Sequence, residues 1–208
     1  MNWKNYFKMM IDWKKLPAYK AEPRIDSLVG YYLDQILNDF LDEEISMIIP
    51  ELPIRLGTVK PEYNDKNFAE RSYKVDFFAV GKEVNYLIEF KSDSNSRREK
   101  QDDYLKRSEN LGTKEIIDGI IKIATVSSYK KKYNHLKEKL KEAALLNDEY
   151  EYSGLNKKLK IIYVQPKSKH DNAVIIDFHW ISNWLKDKYP NDSFSKELSE
   201  TLKIWAED

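Results

Sequence analysis

The stretch Tyr73–Tyr104, YKVDFFAVGKEVNYLIEFKSDSNSRREKQDDY, decides the fold. It holds two strand-like runs, Tyr73 to Val80 and Val84 to Ser92, on either side of Gly81-Lys82-Glu83. Both runs are rich in aromatic and aliphatic residues, and so short a connection predicts an antiparallel hairpin at the core of a sheet. Charges interrupt both: Asp76 in VDFFAV, then Glu89 and Lys91 in LIEFK. Side chains alternate faces along a strand, so Glu89 and Lys91 share a face while Ile88 and Phe90 take the other. Twelve residues separate Asp76 from Glu89, which lets a tight hairpin set the two carboxylates side by side when the register brings Asp76 beside the far end of the second strand.

Upstream of the hairpin, Leu28, Val29, Tyr32, Leu33, Ile36, Leu37, Phe40 and Leu41 form a broad apolar stripe. They predict a buried central helix capped by Asp26 or Ser27. Ser46–Leu56, SMIIPELPIRL, is apolar but interrupted by prolines, which suits an edge strand or a strand with a break. Residues 57–72 read as a polar loop or a hairpin arm. At the amino terminus Trp3, Tyr6, Phe7, Met10 and Trp13 recur at helical steps with lysines on the other faces, which predicts an extension over about residues 1–20 whose helix stops before Pro17.

Downstream, Ser94-Asn95-Ser96 predicts a loop and a cap for a charged helix from Arg97 to Asn110, and Thr113 a cap for one long helix from Lys114 into the 140s. Ile116, Ile117, Ile120, Ile121, Ala124, Tyr133, Leu136, Leu140 and Ala144 give that helix its core face. Its lysines, from Lys130 to Lys141, read as a solvated face or as a phosphate contact surface. Lys160–Val164 and Val174–Phe178 are further strands around the loop QPKSKHDNA, and helical patterns close the chain over about 179–206. The order predicts an α/β fold in one domain spanning 1–208, with a mixed central sheet flanked by helices.

Composition narrows the chemistry. Of 208 residues, 41% are hydrophobic and 13% aromatic, enough for a packed core, so the 34% that are charged read as surface. Lys plus Arg equals Asp plus Glu, 35 each, so a polyanion must be held by a local patch rather than a global field. The chain has no cysteine, which removes disulfides, thiolate catalysis and cysteine-ligated metals. Its three histidines, His135, His170 and His179, lack metal-ligand spacing, so a bound metal should take carboxylates. With only 6 glycines there is no phosphate-binding glycine loop, which disfavours a nucleotide cofactor. The start lacks a signal peptide pattern and no run is long enough for a membrane span, so a cytoplasmic protein without membrane association is expected.

Two carboxylates and a lysine converging at a sheet end can do specific work. The carboxylates offer hard oxygen ligands to one or two Mg2+ or Mn2+ ions, and the lysine can orient a water and offset charge developing on a phosphodiester. A Glu-x-Lys triplet also has a plainer reading, as the polar face of an amphipathic strand with its charges paired laterally. Three features favour the first: Asp76 in the preceding strand, the Ser-Asn-Ser loop, and a helix that opens with Arg97, Arg98, Lys100 and Gln101.

The sequence of a core helix, a strand carrying Asp76, a strand ending in Glu89-Phe90-Lys91 and a helix starting near Arg97 resembles the PD-(D/E)XK nuclease superfamily over roughly residues 22–165. Val75 stands where that superfamily's first motif has proline. The resemblance implies a restriction endonuclease-like core (helix–strand–strand–strand–helix–strand) and Mg2+-dependent hydrolysis of phosphodiester bonds in DNA, less often RNA. It makes Asp76 and Glu89 metal ligands, with the Phe90 carbonyl completing the sphere, and Lys91 the residue that positions the water. Gln101 and Tyr104 resemble the glutamine and tyrosine of exonuclease-like members, at a spacing one residue shorter, and an exposed helix face explains them equally. Glu22 or Asp26 would be the further acid of the first helix. Arg97, Arg98 and Lys100 would meet DNA phosphates, or pair with Glu99, Asp102 and Asp103 along their own helix. A non-catalytic nuclease-like domain that binds nucleic acid or a protein partner is the alternative, and a homodimer is compatible with either.

Overall fold

In the computed structural model, which describes residues 2–93, 98–168 and 173–207, the strands β1 (Ile45–Arg55), β2 (Ser72–Gly81), β3 (Asn85–Phe90), β4 (Leu159–Gln165) and β5 (Val174–Asp177) form a five-stranded sheet in the order β1-β2-β3-β4-β5. β1 to β3 make an antiparallel meander. The Asn85 amide donates to the Lys158 carbonyl at 3.0 Å and the Lys91 amide to the Val164 carbonyl at 2.8 Å, a constant offset that marks β3 and β4 as parallel. β4 and β5 are parallel as well, so the sheet is mixed, as the sequence predicts, and helices flank it. β1 takes the sheet edge, where Pro50 and Pro53 can lack an amide hydrogen at least cost.

The chain divides into two compact units, Met1–Asp42, Glu89–Arg97 and Ile162–Asp208 in the first, Glu43–Ile88 and Arg98–Ile161 in the second. The first contains helices α1 (Trp3–Lys14), α2 (Glu22–Gly30) and α3 (Leu33–Leu41) together with α8 (Phe178–Lys188) and α9 (Ser193–Glu207). α1 lies where its aromatic stripe predicts and buries Phe7 and Met10, but Trp13 is 40% exposed and turns its ring edge-on to Tyr19. The predicted helix over 28–41 is instead two. α2 begins at Glu22 with Pro23 in its first turn, a place that costs proline nothing. Gly30, a weak helix former, ends it, and the chain turns at Tyr31-Tyr32 before α3. Asp26 and Ser27 therefore sit inside α2 rather than at its cap, and the Ser27 hydroxyl bonds back to the Arg24 carbonyl at 3.1 Å. Polar groups tie α3 to the carboxy-terminal helices: Trp184 Nε1 donates to Asp39 at 2.7 Å, and the Tyr32 and Ser195 hydroxyls are 2.8 Å apart.

The second unit holds α4 (Leu56–Val59), α5 (Glu99–Glu109), α6 (Thr113–Val126) and α7 (Lys130–Glu142). The predicted loop over 57–72 contains α4 and two short 3-10 turns. The long helix predicted from Lys114 breaks between α6 and α7. Ser127 is extended there, its hydroxyl accepts the Tyr129 amide at 3.2 Å, and Lys130 Nζ donates to the Ala124 and Thr125 carbonyls at 3.0 and 2.6 Å. These side chains satisfy the backbone groups that a continued helix would have used. Thr113 is not the cap either: Gly112 is, and the Thr113 hydroxyl donates to the Lys157 carbonyl at 2.8 Å while accepting from Asn85 Nδ2 at 2.9 Å. Ala144, predicted in the core stripe, is exposed with a φ of 55°.

α6 packs on the β1 end through Gly119. A Cβ there would lie 2.5 Å from Thr58 Oγ1 and 3.2 Å from Arg55 Cβ. Gly119→Ala should therefore cost about 1–3 kcal/mol, although at an open helix position the same change gains up to about 1 kcal/mol; urea denaturation reads the sign.

Glu43 closes the hairpin turn. Its Oε1 accepts the Glu83 and Val84 amides at 2.7 and 3.2 Å, and its Oε2 takes the Tyr86 hydroxyl. Burial alone would raise its pKa, but the Tyr86 hydroxyl, the two amides and Lys157 outweigh burial and hold the carboxyl below the ordinary glutamate value. Glu43→Ala should cost about 1–3 kcal/mol at neutral pH, the usual loss for a hydrogen-bonded charged group. A depressed folded pKa gives stability that is whole above the unfolded value and lost as pH falls through the folded one. The urea midpoints of wild type and variant should thus converge as pH drops below the ordinary glutamate range.

Candidate active site

In the first unit, Glu89 lies near the end of β3 and Lys91 just past it. Alternation along a strand puts them on one face, but it does not say whether that face meets water. Here it does not: Glu89 is 1% exposed and Lys91 4%. Lys91 Nζ donates to Glu89 Oε1 at 2.5 Å. β3 ends at Phe90, whose ring packs at 5.6 Å from that of Phe178, and Lys91 keeps its backbone bond to Val164. Taking two charges out of water costs several kcal/mol per ion, and a well-packed apolar pair of similar volume would be as stable or more so. Stability alone therefore does not account for this pair.

The same unit supplies further polar groups. Ser92 is buried, and exposed Asp93 lies 3.6 Å from Lys14 Nζ. Lys14 belongs to α1, where the sequence puts lysines in solvent, yet its side chain is only 8% exposed and its ammonium sits 5.0 Å from the Trp205 ring centre. No local pattern links residues so far apart in the chain, so the sequence held no signal for it. Glu22 and Asp26 are half-buried and one helical turn apart on α2, hence on one face. The Phe90 carbonyl stands between Glu89 and Lys91 in the chain.

In the second unit Asp76 is half-buried on β2, between Val75 and Phe77, which face the core. The β2–β3 register runs from Val80↔Asn85 to Phe77↔Ile88. The residues that follow in sequence at that end are Asp76 on β2 and Glu89 on β3. Ser72 and Lys74 share the face of Asp76 by alternation, and Lys74 pairs with Glu51 of β1 at 3.3 Å.

α5 begins after Arg98, which is exposed, as is Lys100, while Gln101 is half-buried. Arg97 and the predicted Ser94-Asn95-Ser96 loop lie outside the described residues. The pairing predicted between Arg98 and the acids of its own helix takes another form at Asp103, which bonds Arg107 at 2.9 Å and Lys60 at 3.1 Å. Tyr104 is 4% exposed: its ring stacks on Tyr73 at 4.2 Å, and its hydroxyl donates to the Lys74 carbonyl at 2.8 Å. It thereby holds the β2 backbone two residues from Asp76.

Among the described residues, no group of three or more Asp, Glu or His side chains forms a metal-binding cluster. Magnesium does not require one, because it keeps several waters and is commonly held by one or two carboxylates plus substrate phosphate oxygens. Asp76 in the second unit, and Glu89 with the Phe90 carbonyl in the first, each offer hard oxygen donors of the kind that ion takes. Among the described residues no helix is long and apolar enough to cross a membrane. No family model, curated protein or solved structure matches the chain.

Proposed function

We propose that this chain is a metal-dependent nuclease with a restriction endonuclease-like core of the PD-(D/E)XK kind, hydrolysing phosphodiester bonds in DNA. The observation that carries the reading is the buried Glu89–Lys91 pair at the end of β3. The hairpin register supports it, since Asp76 and Glu89 are the next residues beyond its last pair.

In this reading Asp76, Glu89 and the Phe90 carbonyl hold Mg2+ or Mn2+, with Glu22 or Asp26 as the further acid. The ion supplies a Lewis acid for the phosphate and lowers the pKa of a bound water. Lys91 orients the water and offsets the negative charge that grows on the phosphate as the water oxygen bonds to phosphorus and the bond to the leaving sugar oxygen breaks. Away from bulk solvent that compensation is worth more than at a surface. Arg97, Arg98 and Lys100 contact neighbouring phosphates, Gln101 approaches the site from α5, and Tyr104 fixes the strand that carries Asp76.

The bond between Lys91 and Glu89 also favours a second reading, a pair that is purely architectural in a non-catalytic domain that binds nucleic acid or a protein. Incubation with linear, circular, single-stranded and branched DNA separates the two. Cleavage with Mg2+ or Mn2+ that stops in EDTA is expected, and no cleavage of any substrate leaves the second reading.

A further inference from the structure

A cavity of about 490 Å³ opens within the second unit, in the size range of small-molecule sites, about 300–1,000 Å³. One wall is the start of α7. Tyr133 and Leu136 line it from one face of α7, and Tyr129, the residue just before that helix, joins them. Tyr129 is 66% exposed, and Lys132 Nζ lies 5.8 Å from the centre of its ring. The other wall comes from β1 and β2 and presents Glu51 and Lys74, and Glu70 joins them. Burial, and then the negative charge of Glu70, raise the Tyr133 pKa, so its phenol stays a hydrogen-bond donor. The cavity combines an exposed aromatic face, two ammonium groups and two carboxylate acceptors. The Glu51–Lys74 pair is mostly exposed, at 61% and 67%, and such pairs contribute only about 0–1 kcal/mol, so either partner can turn to a ligand.

Position adds to the chemistry. Ser72 and Lys74 of the cavity wall share the face of β2 with Asp76, and same-face neighbours on a strand are about 7 Å apart. We propose that this cavity is a nucleotide subsite that takes one unpaired nucleotide of the substrate strand. Its base stacks on Tyr129 beside Tyr133, and its phosphate meets Lys132 and Lys74. Glu51 and Glu70 accept hydrogen bonds from an exocyclic amino group, which cytosine, adenine and guanine have and thymine lacks, so of the two pyrimidines the subsite prefers cytosine. The subsite rests on the nuclease reading for its role beside Asp76.

The test is fluorescence anisotropy of labelled oligo(dC) and oligo(dT) with the full chain in EDTA, where binding reports the subsite without cleavage. Oligo(dC) should bind more tightly than oligo(dT). Tyr129→Ala should weaken binding about tenfold, within the range for loss of one base–aromatic stack. Lys132→Ala should flatten the salt dependence, and Glu70→Gln should narrow the preference for oligo(dC). Tyr129 is mostly exposed, so its loss leaves the fold intact, which circular dichroism checks. Wild type that shows no saturable binding, or Tyr129→Ala that binds within about twofold of wild type where a lost stack predicts more, overturns the subsite. A chain that binds in EDTA but never cuts with metal overturns the nuclease reading and leaves the subsite standing.

Discussion

Lys91→Ala is expected to lower DNA cleavage by at least about a hundredfold, the usual loss when a group that offsets transition-state charge is removed. It should also destabilise the protein by about 3–5 kcal/mol, because it removes the ammonium that pairs with the Glu89 carboxylate where that group is only 1% exposed. The two effects have to be separated, since an unfolded enzyme is inactive for trivial reasons. The double variant Glu89→Gln with Lys91→Met does so. It replaces both charges with groups of similar volume, and removing a buried ion pair whole is often close to neutral for stability. Urea denaturation should therefore show most of the lost stability restored in the double variant while cleavage stays abolished. If the double variant cuts DNA like wild type, the pair is architectural and the site lies elsewhere.

Asp76→Asn is expected to abolish both metal binding and cleavage. Asn keeps the shape of the side chain and removes its charge. A ligand that binds only the folded state stabilises it by RT ln(1 + [L]/Kd), about 2.7 kcal/mol at a hundredfold excess over Kd. For a chain of 208 residues that is a rise in Tm of roughly 5–10 °C. Wild type should show this rise with Mn2+, and Asp76→Asn and Glu89→Gln should not. A rise of equal size in all three proteins would place the ion at other ligands.

Much of the architecture was legible because its signals are local. The hairpin follows from two apolar runs around Gly81-Lys82-Glu83, the edge position of β1 from Pro50 and Pro53, and α1 from the spacing of its aromatics. The helix breaks were less legible. The apolar stripe continues from Leu28 to Leu41 across the turn at Tyr31-Tyr32, and the stripe from Ile116 to Leu140 across Ser127. In the second case the break is made by hydroxyl and ammonium groups that reach backbone carbonyls and amides, which an apolar period does not register.

At the site, strand alternation predicted that Glu89 and Lys91 share a face but not that the face is buried, since burial depends on what the rest of the chain lays against it. Tyr104 reads from sequence either as a residue near the substrate or as part of an exposed helix face, and it is 4% exposed. Its stack on Tyr73 and its bond to the Lys74 carbonyl show a packing role that helical spacing cannot reveal. Lys14 over Trp205 and Glu43 under the hairpin turn are further contacts between residues distant in sequence.

The central claim is that Asp76 and Glu89 hold one metal ion with Lys91 beside it. Anomalous diffraction from crystals grown with Mn2+ tests it most directly. The account predicts a peak bonded to an oxygen of Asp76 and an oxygen of Glu89, at about the 2.0–2.2 Å typical of small divalent ions on carboxylates, with Lys91 Nζ turned to a metal-bound water. A map with no peak there, and with Glu89 still closed on Lys91 at saturating Mn2+, would contradict it.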